Sequence, residues 1–483
     1  MLNHTEFITD ADFFSPELIG WLYQFYIAER KDEVFGKKGK FAADEIPAAT
    51  QIFTPNWIVK YMVENTIGRI YLDKNPGAAA EFKPKWKYLV EPSTPTPKEA
   101  IYQYRELTEL LVGDLACGSG HILNECFDLL YDLYIYEGYS RREAVENIFI
   151  HNLRGIDLDT RAKQLAIFAL MLKACQKDAS FADAHILPHV LSMPTPIPQE
   201  QVSGRLNEFF GEKPSRQVHQ DLSAAFELMQ KADSLGSIMK FDLTESTILA
   251  IRQTVDYWHN QSFVPDSVEE ILPSMELILA LTEKYAALVM NPPYMQWNKM
   301  NTTLQKYVRG KYEEGKNDLC TVFMLLSTNR LNANGKYGMI NMQSWVFLSS
   351  YADFRGHIIS NNQIDSLLHL GPRTFDELIG EIVQNVAFVL SNNKPIMQSI
   401  FFRLIKGRNC NEKEKMFLSA DSEKYHVSQL DYLNITGNII AYWISQHVKD
   451  IFFRNPPLSK FATSCVGLQT SDNEKYIRNW VEV

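Results

Sequence analysis

Apolar positions recur along this chain in two rhythms. Leu18, Trp21, Leu22, Phe25 and Tyr26 fall at three- and four-residue steps, which predicts a helix within residues 7–30. Asp12-Phe13-Phe14-Ser15-Pro16 supplies its start, with Pro16 at the first helical position. Ile122, Leu123, Cys126, Phe127, Leu130 and Leu133 repeat that spacing, and a further helix is predicted over Arg161–Lys173. Unbroken apolar runs predict buried strands at Leu110-Leu111-Val112 and at Ala286-Ala287-Leu288-Val289-Met290, and Leu153-Arg154-Gly155-Ile156 reads as a short strand that ends in acid at Asp157. Asn334-Gly335 reads as a turn into a strand over Tyr337–Met342. Strand-like runs follow at Ser366–Leu370, Ile382–Leu390 and Ser399–Ile405. Strands alternating with helices predict an α/β fold around an open sheet.

Polar and proline-rich stretches mark the connections. Residues 31–47 set Lys37, Lys38 and Lys40 against Asp32, Glu33, Asp44 and Glu45, and read as an exposed connector or a DNA-facing basic loop. Residues 73–98, with Pro76, Pro84, Pro92, Pro95 and Pro97, read as a surface excursion. Residues 181–230 begin in the proline-rich Leu187–Gln201 and read as an inserted, mostly helical segment. No internal repeat stands out.

Two strand ends carry candidate chemistry. Asn291-Pro292-Pro293-Tyr294 follows the run Ala286–Met290 directly, at the sheet edge where ligands bind in open α/β folds. The Asn291 carbonyl oxygen and the Pro292 backbone carbonyl can both accept from an exocyclic NH2 group, and the Tyr294 ring can stack on the base that carries it. Gly113-Asp114-Leu115-Ala116-Cys117-Gly118-Ser119-Gly120 joins a strand to a helix through small residues that admit a ligand close to the backbone. Its Gly-x-Gly lacks the third glycine of a dinucleotide fingerprint, which disfavours NAD. Asp157 closes the next strand, where an acid typically holds ribose hydroxyls, and Asp159 reads as the cap of the following helix. Thr54-Pro55 makes a helix start with the hydroxyl and free amides of a carboxylate-binding corner. Asp233 is either a contact to an adenine amino group or a solvated turn aspartate. Lys299, Lys306, Arg309, Lys311 and Lys316 suit phosphate contacts beside a base pocket, or else a solvated mixed-charge helix.

Composition narrows the class. The 483 residues are 46% hydrophobic and 22% charged, as in a soluble globular protein, and length alone predicts about three domains. Apolar runs fall far short of the ~18 residues that span a bilayer. The start, Met1-Leu2-Asn3-His4-Thr5-Glu6, carries no export signal. Cys117, Cys126, Cys175, Cys320, Cys410 and Cys465 are scattered, so they read as reduced cytosolic thiols and not a disulfide or zinc framework. A net charge of −10 confines any nucleic-acid contact to local patches.

Phe-Thr-Pro at 53–55, Asp-Leu-Ala-Cys-Gly-Ser-Gly at 114–120, Gly-Ile-Asp-Leu-Asp at 155–159 and Asn-Pro-Pro-Tyr at 291–294 come in a telling order. Together the set resembles the N6-adenine DNA methyltransferases of gamma motif order, and above all the PglX methyltransferases of BREX phage-defence systems. Ile46-Pro47-Ala48-Ala49-Thr50-Gln51-Ile52-Phe53-Thr54-Pro55, Asn341-Met342-Gln343-Ser344-Trp345, Gly380-Glu381-Ile382-Val383-Gln384 and Gly467-Leu468-Gln469-Thr470 support the likeness, which covers nearly the whole chain. It implies a Rossmann-like S-adenosylmethionine-dependent methyltransferase sheet with an N-terminal helical segment and a helical insertion. Thr54, with Pro55, would sit near the methionine carboxylate of S-adenosylmethionine. Asp114, Ala116, Gly118 and Gly120 would line its methionine part and the glycine turn. Asp157 would bind the ribose, with Asp233 beside the adenine ring. Asn291 and Pro292 would hold the target amine, with Pro293 stiffening the turn and Tyr294 stacked on a flipped adenine of double-stranded DNA. No metal is implied, no membrane is involved, and the expected compartment is the cytoplasm.

Three regions follow from the likeness: 1–50 as the N-terminal helical segment, 51–405 as the catalytic domain with its insertion at about 181–230, and 406–483 as a linker and the start of a truncated target-recognition region. Family members are longer at both ends, so the chain is expected to be a catalytic core whose target-recognition region has barely begun. A second chain or other defence proteins would then supply recognition. Three rival readings remain: a catalytically silent DNA-binding or assembly subunit, a glutamine methyltransferase of proteins, which also grips an amide NH2 with Asn-Pro-Pro-Tyr, and, as a near relation, a type I or restriction-fused methylase subunit.

Overall fold

The computed structural model describes residues 53–375 and 383–463 other than 457, together with residues 20, 33–34 and 39–47. The helix predicted within 7–30 (Gly20 apart), Gly380-Glu381-Ile382 and Gly467-Leu468-Gln469-Thr470 lie outside the described residues.

One nine-stranded sheet organises the molecule. Its strands are β1 (Val112–Asp114), β2 (Leu153–Asp157), β3 (Val190–Ser192), β4 (Tyr285–Met290), β5 (Leu331–Met342), β6 (Gln363–Gly371), β7 (Asn385–Ser391), β8 (Ser399–Arg403) and β9 (Lys424–Val427). They lie in the order β3-β2-β1-β4-β5-β7-β6-β8-β9. Strands β3 to β5 in that order are all parallel, and β7 runs antiparallel between β5 and β6. The α/β class and the Rossmann-like sheet expected from the sequence are therefore present. Every residue of β4 is buried, which follows from helices covering both faces and explains its unbroken apolar run.

The two faces have separate cores. Helices α1 (Asn56–Val63), α2 (His121–Tyr136) and α3 (Thr160–Lys177) cover one face, where Ala287 and Val289 of β4 join their core. Helices α4 (Gln199–Phe210), α5 (Arg216–Met229), α6 (Glu245–His259), α7 (Asp266–Ala280), α8 (Thr302–Lys311) and α9 (Leu319–Arg330) cover the other. Leu288 and Met290 of the same strand pack into that second core. The alternation of β4 thus feeds both layers.

Several boundaries differ from the sequence reading. The segment at 181–230 contains β3, an edge strand paired to β2 through Gly155↔Val190, and its helices run on to Ala280. The sheet does not stop at 405: β9 pairs with β8 through Ser399↔Val427. Asn334-Gly335 is not a turn before β5 but an irregularity inside it. Asn334 takes a φ of 64°, and the pairing with β4 slips between Tyr285 and Ala287. Residues 73–98 are more than a surface excursion, because Phe82 and Trp86 are buried and stack at 4.7 Å. Within 31–47, Val34, Phe41 and Ile46 are buried, so that connector packs onto the body. No helix among the described residues is long and apolar enough to cross a membrane.

Candidate active site

Strand β1 ends on Asp114, which is almost fully buried. Its Oδ1 accepts from the Ala116 amide at 3.0 Å, while Oδ2 is buried with no partner. Burial pushes this carboxyl well above the usual carboxylate range. A polar atom left unpaired inside a protein costs roughly 1–3 kcal/mol. The turn that follows places Gly118 at φ 52° and Gly120 at φ 84°. A Cβ on Gly120 would lie 2.8 Å from that of Ala166, so only glycine lets the start of α2 pack against α3.

Asp157 closes β2 and ties the two turns together. Its Oδ2 accepts from the Gly118 amide at 2.8 Å and its Oδ1 from the Asp159 amide at 2.9 Å. Burial pushes its pKa up to about 6, against the pull of those hydrogen bonds. Asp159 caps α3 by accepting from the Arg161 amide at 2.8 Å, as its place in the sequence predicts.

The Phe53-Thr54-Pro55 segment lies over the start of α2. His121 Nε2 is 3.1 Å from the Thr54 carbonyl oxygen, and the His121 ring lies 4.0 Å from that of Phe53. Asn56 donates to Glu125 at 3.0 Å. The helix start differs slightly from expectation: Pro55 occupies the cap position of α1, and the Thr54 hydroxyl makes no cap.

The proline turn leaves β4 at the same sheet edge. Tyr294 donates its hydroxyl to the Ile340 carbonyl of β5 at 2.9 Å, and Asn385 of β7 lies 3.5 Å from the same oxygen. The ring is therefore held by its far end. Beyond it, the Met295 amide donates to Asp318 Oδ1 at 3.1 Å, and that carboxylate also caps α9 through the Cys320 amide. Burial raises the Asp318 pKa. The nearby basic residues are mostly engaged: Lys299 lies over Phe41, Arg309 over Trp297, and Lys311 is 3.3 Å from Asp242.

Both turns line one cavity. Of the residues read from the sequence, Thr54, Asp114, Ala116, Gly118, Asp157, Asn291 and Pro293 form its wall. Pro55, Gly120, Pro292 and Tyr294 adjoin those residues in the chain without lining it. Asp233 is exposed on the short helix Ala232–Leu235 and is not in the wall, which is built there from Ser234 to Ile238. The Ser237 hydroxyl donates to the Leu115 carbonyl and fixes that wall to the glycine turn. Phe53, His121 and Phe323 also line the cavity and were missed. Phe53 stood beside Thr54 in the supporting stretch, and His121 directly follows the glycine turn. Phe323 had only the signature of a packed helix.

Residues 151–375 match the family model described as Eco57I restriction-modification methylase. The chain is 33% identical over 509 aligned positions to the adenine-specific methyltransferase BrxX of Escherichia coli O9:H4 (strain HS), covering 99% of this chain and 41% of that protein. It is 34% identical over 496 positions to the adenine-specific methyltransferase PglX of Lacticaseibacillus casei (strain Zhang), covering 97% and 40%. The likeness to adenine-specific methyltransferases is thus shown. This chain spans about two fifths of the length of both relatives. Among solved structures, a DrdV–DNA complex overlays with a TM-score of 0.46 at 12% identity, covering 82% of this chain and 31% of that one.

Proposed function

We propose that this chain transfers a methyl group from S-adenosylmethionine to the N6 amine of a flipped adenine in double-stranded DNA, in bacterial phage defence of the BREX type or in restriction-modification. The observation that carries the reading is the meeting of the glycine turn of β1 and the proline turn of β4 around one cavity. The residues present fit the cofactor. Asp114 brings to the cavity wall a buried carboxyl oxygen without a partner, and Gly118 a backbone with no side chain to keep a ligand away.

Thr54, Asp114, Ala116, Gly118 and Asp157 would hold S-adenosylmethionine, which supplies an electrophilic methyl group when bound. The chain's own work is at the amine. An amine on an aromatic ring is a poor nucleophile because its lone pair is delocalised. The Asn291 carbonyl oxygen and the Pro292 carbonyl would accept from its two hydrogens and favour a tetrahedral nitrogen with a free lone pair. Tyr294, held through its hydroxyl, would stack on the base and fix its plane. Alignment and polarisation are the main contributions of such a site. Recognition of a DNA sequence would come from a further segment or a partner chain, and the compartment would be the cytoplasm, where the DNA is.

Calorimetry with S-adenosylmethionine followed by methyl transfer to duplex DNA tests this reading. Asn291→Ala should lower the methylation rate by roughly 10²–10³-fold while leaving cofactor affinity almost unchanged. A variant as fast as the native chain would sink the assignment of the amine site. A folded native chain that binds no cofactor would favour the catalytically silent subunit.

A further inference from the structure

His121 is the first residue of α2 and part of the cavity wall. Its two ring nitrogens have different surroundings. Nε2 faces the Thr54 carbonyl oxygen at 3.1 Å, and a carbonyl can only accept, so Nε2 carries the proton. Burial pulls the ring's pKa down to about 4, which keeps it neutral at physiological pH. A neutral ring protonated at Nε2 leaves Nδ1 as a bare acceptor. That Nδ1 is buried and has no partner. The ring is not free to turn and find one, because Phe53 packs on it at 4.0 Å and Nε2 is engaged.

Asp114 Oδ2 is a second buried polar atom without a partner in the same wall. A bare ring nitrogen selects a ligand group that donates to it, and disfavours a carboxylate or phosphate there. In an α-amino acid the carboxylate and the ammonium share one carbon. A ligand whose carboxylate lies at Thr54 therefore carries its ammonium on the same short segment, beside the wall in which His121 is hydrogen-bonded to the Thr54 carbonyl.

We propose that His121 is a cofactor-binding residue whose Nδ1 accepts from the ammonium of the amino-acid end of S-adenosylmethionine, while its Nε2 holds the Thr54 wall in place. This rests on the reading of the cavity as an S-adenosylmethionine site. It makes His121 the reason the site distinguishes ligands that carry the amine from those that lack it.

The test compares S-adenosylhomocysteine with its deaminated analogue, in which hydrogen replaces the amine, by calorimetry on the native chain and on His121→Phe. The phenyl ring keeps the packing on Phe53 and removes both nitrogens. The native chain should prefer the amine by roughly tenfold or more, and the variant's preference should fall to within about threefold. A variant that keeps the native preference overturns the proposal. A native chain that binds both ligands equally also overturns it, and leaves the methyltransferase reading standing. A folded native chain that binds neither overturns both. Should His121→Phe fail to fold, nitrogen NMR of the native chain with labelled histidine decides. The His121 Nδ1 resonance should report an unprotonated nitrogen that shifts with S-adenosylhomocysteine and not with the analogue. A protonated Nδ1, or equal shifts with both, overturns the assignment.

Discussion

The glycine turn after β1 and the proline turn after β4 leave neighbouring strands, paired through Val112↔Ala287 and Gly113↔Leu288, at the same edge of the sheet. They reach order by opposite means. The glycine turn is shaped by missing side chains and takes positive φ at Gly118 and Gly120. It is held by a carboxylate borrowed from the next strand, Asp157. The proline turn is shaped by rings that fix the backbone, and is held by hydrogen bonds to β5 and to the cap of α9. Where a ligand must approach the backbone, the chain gives up side chains and needs outside help to stay in place. Where a side chain must be aimed, the chain stiffens the backbone and anchors the aimed group from behind.

The largest expected break in this contrast is Gly120→Ala. The new Cβ meets Ala166 at 2.8 Å, and the left-handed backbone penalises any side chain. A loss of about 2–4 kcal/mol should appear in urea unfolding. The matching change in the other turn, Pro293→Ala, should cost only about 0.4–1 kcal/mol, because it relaxes the unfolded chain and creates no clash. Equal losses would contradict the contrast.

Next in size is the pH response of Asp157. Its carboxyl titrates at 3.8 when free and at about 6 in the fold, so between those values the folded chain keeps a proton that the unfolded chain has lost. Relative to neutral pH, this favours the folded state in full below 3.8, and the benefit is gone once pH has risen through about 6. The swing is at most about 3 kcal/mol, less what water screens at this half-buried group. Unfolding free energies of the native chain should therefore fall, relative to Asp157→Asn, as pH rises across that window. Parallel curves would rule out Asp157 as a titrating tie.

The smallest effect is expected from Tyr294→Phe, which keeps the stacking face and removes the hydroxyl bonded to Ile340. About 1 kcal/mol of stability should go, with a fall of only a few-fold in methyl transfer. A collapse of activity would mean that the hydroxyl does more than anchor the ring.

Much of this site was legible in the sequence because its signals are local. Gly118 and Gly120, the Asn291–Tyr294 turn, Asp157 after its strand and Asp159 before its helix each announce themselves within a few residues. What was not legible depends on distant packing. Asp233 was singled out by residue type, yet the four-residue helix it sits on turns it outward and gives the wall to Ser234 and its successors. Strand β3 has three residues and lies in a proline-rich stretch, too short for any period to show. Residues 31–47 look solvated by charge, yet Phe41 and Ile46 are buried among them. The role of His121 depends on which neighbour each nitrogen finds, and that is a fact of three dimensions.

The pairing of Val112 with Ala287 has a consequence for how the molecule comes into being. Between these partners the chain makes α2, α3, the strands β2 and β3, and the whole α4–α7 layer. Closing so long a loop carries its entropic penalty before the paired strands repay it, and contacts of this range slow folding. The two halves of the site are therefore brought together late, after much of the surrounding helical structure can form locally. During synthesis, a ribosome-bound chain that has emerged only as far as α7 would have the glycine turn and no proline turn beside it. Competence arrives with β4.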